Sequence, residues 1–267
     1  MNAAAVAPLG RLGQWTRDYV MEGLQSLAVL GAVLVLACQP RQWRRTVRSV
    51  FARQLLFTGV RSARFAAVLA TLAGVLVVVQ ASLWLGRVGL SQMSPPLLVA
   101  VLVRELGPLL AGLLVIVNSG SAMATELGLM KLRGEVRVLQ AQGLEPLPYL
   151  VMPRVLAAGI SSLCLSVLFI AVAFASGFVF EALLLDVRMD ATIFAAEVLG
   201  ALRPADALTV FTKGTLPGLF IGVICTTAGL NAGPTVTGVP TACRRALVRS
   251  VAVLFVISAT VSLLAYL

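Results

Sequence analysis

The chain contains apolar runs that are too long for the core of a small soluble domain. Phe65 to Gly86 and Val155 to Phe180 each lack a charged residue. About 20 apolar residues in a helix cross a bilayer core, where every backbone polar group must bond within its own segment. These runs show no period-two alternation, which argues against a β-barrel. We therefore predict an all-α, polytopic helical membrane protein.

Composition excludes several classes of function. The 267 residues are 59% hydrophobic and 12% charged, whereas soluble domains carry about 25% charged residues. The net charge of +10 comes from arginines between the apolar runs, which indicates membrane topology and not a nucleic-acid partner. Histidine is absent and the four cysteines form no CxxC motif. We therefore predict no metal site, no cofactor and no enzymatic activity.

Five core spans are predicted, and basic residues decide which ends are cytoplasmic. The positive-inside bias places Met123–Gly143 and Ala232–Arg249 in the cytoplasm, with the loops around Arg87 and over Glu181–Asp206 outside. A short outer helix is predicted over Ala191–Gly200. The predicted spans are Phe65–Gly86, Leu97–Val117, Val155–Phe180, Ala207–Leu230 and Ser250–Leu267.

Residues 1–64 are predicted to form interfacial helices ahead of a membrane domain over residues 65–267. Gly23–Cys38 is apolar but short for a span, so we interpret it as a re-entrant or interfacial helix, with a full span as the alternative. Gln39–Arg64 is rich in arginine, and its aromatic and aliphatic residues recur at four-residue steps (Trp43, Val47, Phe51). This pattern is typical of a helix on the cytoplasmic leaflet, attracted by anionic headgroups. A solvated linker is the alternative.

Charged residues lie inside two spans, each four residues before a proline. Pro108 follows Arg104 and Pro217 follows Lys213 at this spacing. Proline cannot donate to the carbonyl four residues earlier, so we predict helix breaks at both prolines. A charge at the centre of a span costs about 2.5–3.5 kcal/mol on insertion scales. We therefore predict a shared polar cavity for an anionic group, faced by Arg104 and Lys213.

Two further residues belong to the predicted substrate-binding set. Glu105 adjoins Arg104, and Gln80 is the main polar residue of the first span. The alternative for Arg104 and Glu105 is a boundary position, with both side chains snorkelling to the outer headgroups. For Gln80 the alternative is a packing hydrogen bond between helices.

A polar helix is predicted between the second and third spans, over residues 122–142. Gly143 and Pro146 end it. Glu126, Arg133 and Arg137 share one stripe, and Lys131 and Glu135 form an i,i+4 pair on the other side. Met123, Leu127 and Met130 form an apolar strip between the two polar faces, which suits a groove on a partner protein; a solvated connector is the alternative. The predicted coupling residues are Thr125, Glu126, Leu127, Gly128, Lys131, Arg133 and Arg137.

Several motifs resemble the MlaE/YrbE permease family. They are the segments RELGP (residues 104–108), SAMATELGLM (121–130), GLEP (143–146) and the dipeptide Pro153-Arg154. Lys213, followed by Gly218, Gly222 and the segment GLNA (229–232), is similar to the family's fourth-span signature. Members are membrane subunits of ABC systems that carry phospholipids or related lipids, and they include the chloroplast lipid-import permease.

The resemblance implies a homodimer in a bacterial inner membrane, with a lipid in a cavity at the dimer centre. It also implies a separate ATPase whose groove receives the cytoplasmic helix, and an MCE-domain protein on the outer side. No P-loop GxxxxGK[ST] occurs in the chain, which agrees with a separate ATPase. The alternative is a stand-alone secondary carrier of an amphipathic anion, since such carriers also use broken helices with midplane charges.

The chain departs from the family pattern at three positions. Asn118 stands where arginine is usual, Gly134 where glutamate is usual, and Arg137 where an acidic or polar residue is usual. A glycine in a helix interior costs about 1 kcal/mol relative to alanine. We therefore expect a cytoplasmic helix that is softer and more basic than is typical of the family, facing an ATPase groove that is correspondingly acidic.

Overall fold

The structure, a computed structural model, describes residues 6–89, 94–184, 191–233, 235 and 237–266. Within this part of the chain all regular secondary structure is helical. Five of the described helices are long and apolar enough to cross a membrane, which confirms the predicted number of spans. They are α2 (Arg45–Val88), α3 (Pro95–Leu132), α5 (Leu147–Phe180), α7 (Pro204–Leu230) and α8 (Gly238–Ala265).

The N-terminal segment is one long helix, α1 (Val6–Ala37). The apolar stretch predicted from Gly23 is its second half, and its Leu30 and Val33 pack against Val155 and Val223 of the membrane helices. A 3₁₀ turn over Pro40–Gln42 follows. There the Trp43 indole donates a 2.8 Å hydrogen bond to the Ala37 carbonyl, which fixes the turn between α1 and α2.

The sequence pattern predicted that the basic segment is a helix on the membrane surface, but the segment does not form a helix of its own. It is the first part of α2, which continues through a π-helical segment (Leu56–Val60) into the span. One side of this part is buried through Val47, Gln54 and Thr58. Because these residues repeat at about helical spacing, the side packs on α5 while the arginines stay exposed.

The core is built around α7, which packs against α5, α8 and α3. Small residues let the backbones approach closely, as is usual in membrane helix pairs. A Cβ at Gly218 would lie 2.7 Å from the Ala158 carbonyl oxygen of α5, and a Cβ at Gly74 of α2 would lie 2.1 Å from that of Ala173. No residue larger than glycine fits at these two helix crossings.

The two prolines do not break their helices. α7 runs without interruption through Pro217, so the predicted break there was wrong. Tight packing of the neighbouring Gly214 and Gly218 on α5 holds this part of α7 in helical form. At Pro108 the helix also continues, but a π-helical segment (Val99–Leu106) precedes the proline. A π-helical turn accommodates a missing backbone donor without ending the helix.

The cytoplasmic helix predicted over residues 122–142 is two pieces. Its first part is the end of α3, and its second is the short α4 (Glu135–Ala141). Between them Gly134 adopts φ +78°, which belongs to the left-handed region. Glycine adopts this conformation at little cost, so Gly134 turns the chain where a continuous helix was expected.

On the opposite side, the predicted short helix is confirmed as α6 (Ala191–Ala201). Asp186 and Asp190 of the predicted outer loop lie outside the described residues.

Candidate functional site

Arg104 forms a two-point ion pair with Asp206. Its Nε lies 2.7 Å from Asp206 Oδ1, and its Nη2 donates to Oδ2 at 3.2 Å. Asp206 sits in the first turn of α7, is 4% exposed and also accepts a 2.9 Å bond from the Arg203 backbone N–H. The paired geometry matches the planar guanidinium to the carboxylate and ties α3 to the start of α7.

Lys213 is almost completely buried, at 1% exposure, and its ammonium has three partners. It donates to the Glu105 Oε1 at 2.8 Å, to the Ser262 hydroxyl at 2.6 Å and to the Arg104 backbone carbonyl at 2.7 Å. An ammonium group has three donors, so all of them are used. A buried cation is tolerated only with such compensation.

The backbone partner follows from the proline. The residue that would donate to the Arg104 carbonyl in an α-helix is Pro108, which has no N–H. Lys213 supplies the donor from the neighbouring helix. The Lys213 ammonium thus bonds to the α3 backbone next to the proline.

These contacts define the ion cluster, which consists of Arg104, Glu105, Asp206, Lys213 and Ser262. It joins α3, α7 and α8, because Ser262 also donates to Glu105 at 2.7 Å. Two cations and two carboxylates balance within it. The cluster lines a small cavity of about 80 Å³, which has room for a few waters and not for a lipid headgroup.

Two members of the ion cluster, Asp206 and Ser262, were not predicted as site residues from the sequence. Asp206 was assigned to the outer loop, although it lies seven residues before Lys213 and so, two turns away, on the same helix face. That spacing and the preceding Pro204, a residue typical of the first helical turn, could have revealed it. Ser262 is a single hydroxyl in an apolar span, and nothing in the sequence marks it.

Gln80 does not join the ion cluster. It is exposed on α2, where its amide oxygen accepts a 3.1 Å hydrogen bond from the Trp84 indole. It lines an apolar groove of about 470 Å³ with Leu76, Val77 and Leu97. The structure thus brings together Arg104, Glu105 and Lys213 of the predicted binding set and separates Gln80 from them.

The predicted coupling residues divide into buried and exposed groups. Leu127 and Gly128 are buried, and a Cβ at Gly128 would lie 2.8 Å from Val239. They therefore pack within the chain and are not available to a partner. Thr125, Glu126, Lys131, Arg133 and Arg137 are exposed.

The break at Gly134 also changes the predicted charge pairs. Lys131 does not pair with Glu135 but donates a 2.9 Å bond to the Ala232 carbonyl after α7. Glu135 instead lies 3.8 Å from Arg133, with both side chains largely exposed, so this pair contributes little stability. Lys131, Arg137 and Gln140 line an open pocket of about 430 Å³ beside Gly134.

Glu126 is held by an arginine of the next span. Its carboxylate accepts a 2.9 Å bond from Arg154, whose side chain is 5% exposed against 51% for Glu126. Arg154 also donates to the Leu150 carbonyl one turn back along α5. The pair ties the end of α3 to the start of α5.

Comparison with known proteins agrees with this architecture. Residues 51–264 match the family described as permease MlaE. A probable ABC transporter permease protein of Rickettsia prowazekii is 31% identical over 202 residues, which cover 76% of this chain and 77% of the relative. The chloroplastic protein TRIGALACTOSYLDIACYLGLYCEROL 1 of Arabidopsis thaliana is 28% identical over 89% of this chain and 66% of its own length.

A shorter match has higher identity. The intermembrane phospholipid transport system permease protein MlaE of Haemophilus influenzae is 42% identical over 71 residues, 27% of each chain. These matches favour an ABC transporter permease over a stand-alone secondary carrier. The family match over residues 51–264 includes the ion cluster and the exposed coupling residues. This multi-pass membrane protein therefore belongs to the MlaE permease family of ABC transporters.

Proposed function

We propose that the chain is the permease subunit of a system that moves phospholipid or a related lipid between a bacterial inner membrane and the cell envelope. The observation that carries this proposal is the ion cluster. Lys213 is buried among apolar helices about ten residues from the start of α7, roughly 15 Å along a helix. Charges at such depth are costly and usually serve a transported group.

The lipid phosphate would bind at Arg104 and Lys213. Both cations are neutralised by carboxylates within the chain, and the cavity beside them is about 80 Å³. A headgroup would therefore need a second conformation, in which α3 and α7 separate, or a second protomer that completes a larger cavity. Glu105 is 37% exposed, so the cluster reaches the chain's surface, as a site at the centre of a homodimer requires.

Energy would come from ATP hydrolysed by a separate ATPase subunit. The exposed part of the coupling segment consists of Thr125, Glu126, Lys131, Arg133 and Arg137. The Glu126–Arg154 pair links that part to α5. An MCE-domain protein on the outer side would receive or deliver the lipid. The similarity to the Haemophilus influenzae intermembrane phospholipid transport system permease protein supports this assignment.

Reconstitution tests the proposal. The chain and its candidate ATPase are placed in vesicles with a fluorescent phospholipid, and lipid transfer to an MCE-domain acceptor is followed. We expect transfer that requires ATP and falls at least tenfold when Lys213→Met is combined with Glu105→Gln, a change that keeps the cluster neutral. Glu197→Gln on α6 serves as the control. Transfer driven by an ion gradient without the ATPase would contradict the proposal.

A further inference from the structure

A further pocket lies near the C-terminal end of α7, far along that helix from the ion cluster. It has a volume of about 480 Å³ and opens between α1, the last turns of α7 and the first half of α8. This volume falls in the usual range for small-molecule sites. Its polar lining residues are Glu22, Gln25, Ser26, Thr227, Asn231 and Arg249.

The polar end of the pocket lies where the apolar stretches of α7 and α8 meet polar sequence. Asn231 immediately follows α7, and Arg249 precedes the apolar part of α8 that begins at Ser250. Its apolar walls include Val29 of α1 and Ile224 of α7, and Ile224 lies two turns inside α7 from Asn231. A polar end beside an apolar wall fits an amphiphile whose headgroup stays at the membrane surface.

Opposite charges meet at the rim of this pocket. Arg249 forms an ion pair with Glu22, and both side chains are partly exposed, at 28% and 47%. A guanidinium binds a phosphodiester through two parallel hydrogen bonds. A carboxylate accepts hydrogen bonds from a primary ammonium. The rim therefore carries one partner for each charge of a zwitterionic headgroup.

We propose that this pocket binds a zwitterionic phospholipid with a primary ammonium group, with its phosphate on Arg249 and its ammonium on Glu22. The lipid replaces one ion pair by two, so no charge is left uncompensated. Gln25 and Asn231 supply further hydrogen bonds to the phosphate and glycerol oxygens. A lipid with net negative charge would leave Glu22 facing an anion, which disfavours it.

This site does not depend on the proposed transport function. Binding here requires only the membrane-inserted chain, with no ATPase and no movement of lipid. A failure of transport would thus leave the site untouched, and a failure of binding here would leave the ion cluster untouched.

Native mass spectrometry of the full chain in detergent tests the site. The probes are phosphatidylethanolamine, phosphatidylcholine and phosphatidylglycerol with identical acyl chains, titrated separately. We expect phosphatidylethanolamine to bind most tightly, since the quaternary ammonium of phosphatidylcholine cannot donate a hydrogen bond and phosphatidylglycerol has no cation. Equal affinity for the three lipids would overturn the proposal.

Two single variants separate the two contacts. Glu22→Gln is expected to remove the preference for phosphatidylethanolamine, a change of roughly tenfold for a charge-assisted hydrogen bond. Arg249→Gln is expected to weaken all three lipids, because each contains the phosphate. The matched controls are Glu197→Gln on α6 and Arg245→Gln, an exposed residue one turn from Arg249. An unchanged lipid preference in Glu22→Gln would overturn the proposal.

A third variant guards against loss of α1 packing in the first two. Ala28 is exposed and lines the pocket, so Ala28→Phe fills the space without touching the ion pair. We expect it to abolish tight binding of phosphatidylethanolamine while the thermal stability of the chain stays unchanged. Binding at the native affinity in this variant would show that the lipid sits elsewhere.

Discussion

Lys213 donates a 2.7 Å hydrogen bond to the backbone carbonyl of Arg104, which lies four residues before Pro108, a residue without a backbone N–H. The side chain of one membrane helix thus completes the backbone bonding of another. Glu105 and Ser262 occupy the other two donors of the ammonium. The contact explains how a lysine is buried in an apolar bundle and why α3 and α7 are held together at this depth.

Removing the ammonium should destabilise the chain. We expect Lys213→Met to lower the free energy of unfolding by about 2–4 kcal/mol, less than for a fully buried pair because Glu105 retains some contact with solvent. Adding Glu105→Gln should recover part of the loss, with a coupling energy of about 1–3 kcal/mol. Equilibrium unfolding in mixed micelles measures both values. Strictly additive losses would show that the two side chains do not interact.

Asp206 should contribute more to the free energy of unfolding than Glu197, an acidic residue of the neighbouring α6. Asp206→Asn leaves Arg104 without its carboxylate and weakens the bond to the Arg203 backbone. We expect a loss of about 2–4 kcal/mol. Glu197→Gln, an exposed acid on α6, should change stability by less than about 0.5 kcal/mol. The same unfolding measurement compares the two variants. Equal losses of unfolding free energy would show that Asp206 does not stabilise the ion cluster.

The Glu126–Arg154 pair should respond differently to loss of each partner. Glu126→Ala leaves the buried guanidinium of Arg154 unpaired, whereas Arg154→Met leaves a carboxylate that is half exposed. A buried unpaired charge is the costlier outcome. We therefore expect Glu126→Ala to lower the melting temperature more than Arg154→Met does. Thermal unfolding followed by tryptophan fluorescence decides the order, and the reverse order would contradict the burial difference.

Gly134 and Gly31 provide a matched pair of glycines. Neither has an atom that would contact an added Cβ, but Gly134 has φ +78° while Gly31 lies inside α1. Gly134→Ala should cost about 1 kcal/mol or more because alanine disfavours that conformation. Gly31→Ala should stabilise α1 by up to about 1 kcal/mol. Circular dichroism during thermal unfolding measures both, and a gain in both would contradict the turn at residue 134.

The sequence predicted the elements that depend on local patterns. Long apolar runs located five spans, and the arginine and lysine inside two of them indicated a shared polar site, because a charge inside a span is costly unless it is compensated. The end of α3 near Leu132 was missed, since glycine is compatible with both a soft helix and a left-handed turn. Only the neighbouring structure decides between them.

The sequence did not predict which side chains of different helices come into contact. Asp206, Lys213 and Ser262 meet Arg104 and Glu105 because α7 and α8 pack against α3, at close contacts such as Gly120 on Cys225 and Gly112 on Leu254. Gln80 is also a polar residue inside an apolar run, but it faces outward on α2. A single polar residue in a uniformly apolar helix gives no signal of which side is inside, because the hydrophobic pattern is nearly the same all round.

We propose that a lipid headgroup binds at Arg104 and Lys213. A photoreactive amino acid placed at Ala265, which lines the cavity beside the cluster, tests it most directly in membranes containing radiolabelled phospholipid. A second probe at Trp84, exposed on the outside of α2, reports contact with bulk lipid. We predict strong labelling at Ala265 that disappears with Arg104→Gln plus Lys213→Met, while labelling at Trp84 persists. Labelling at Ala265 that is unaffected by that double change would contradict the account.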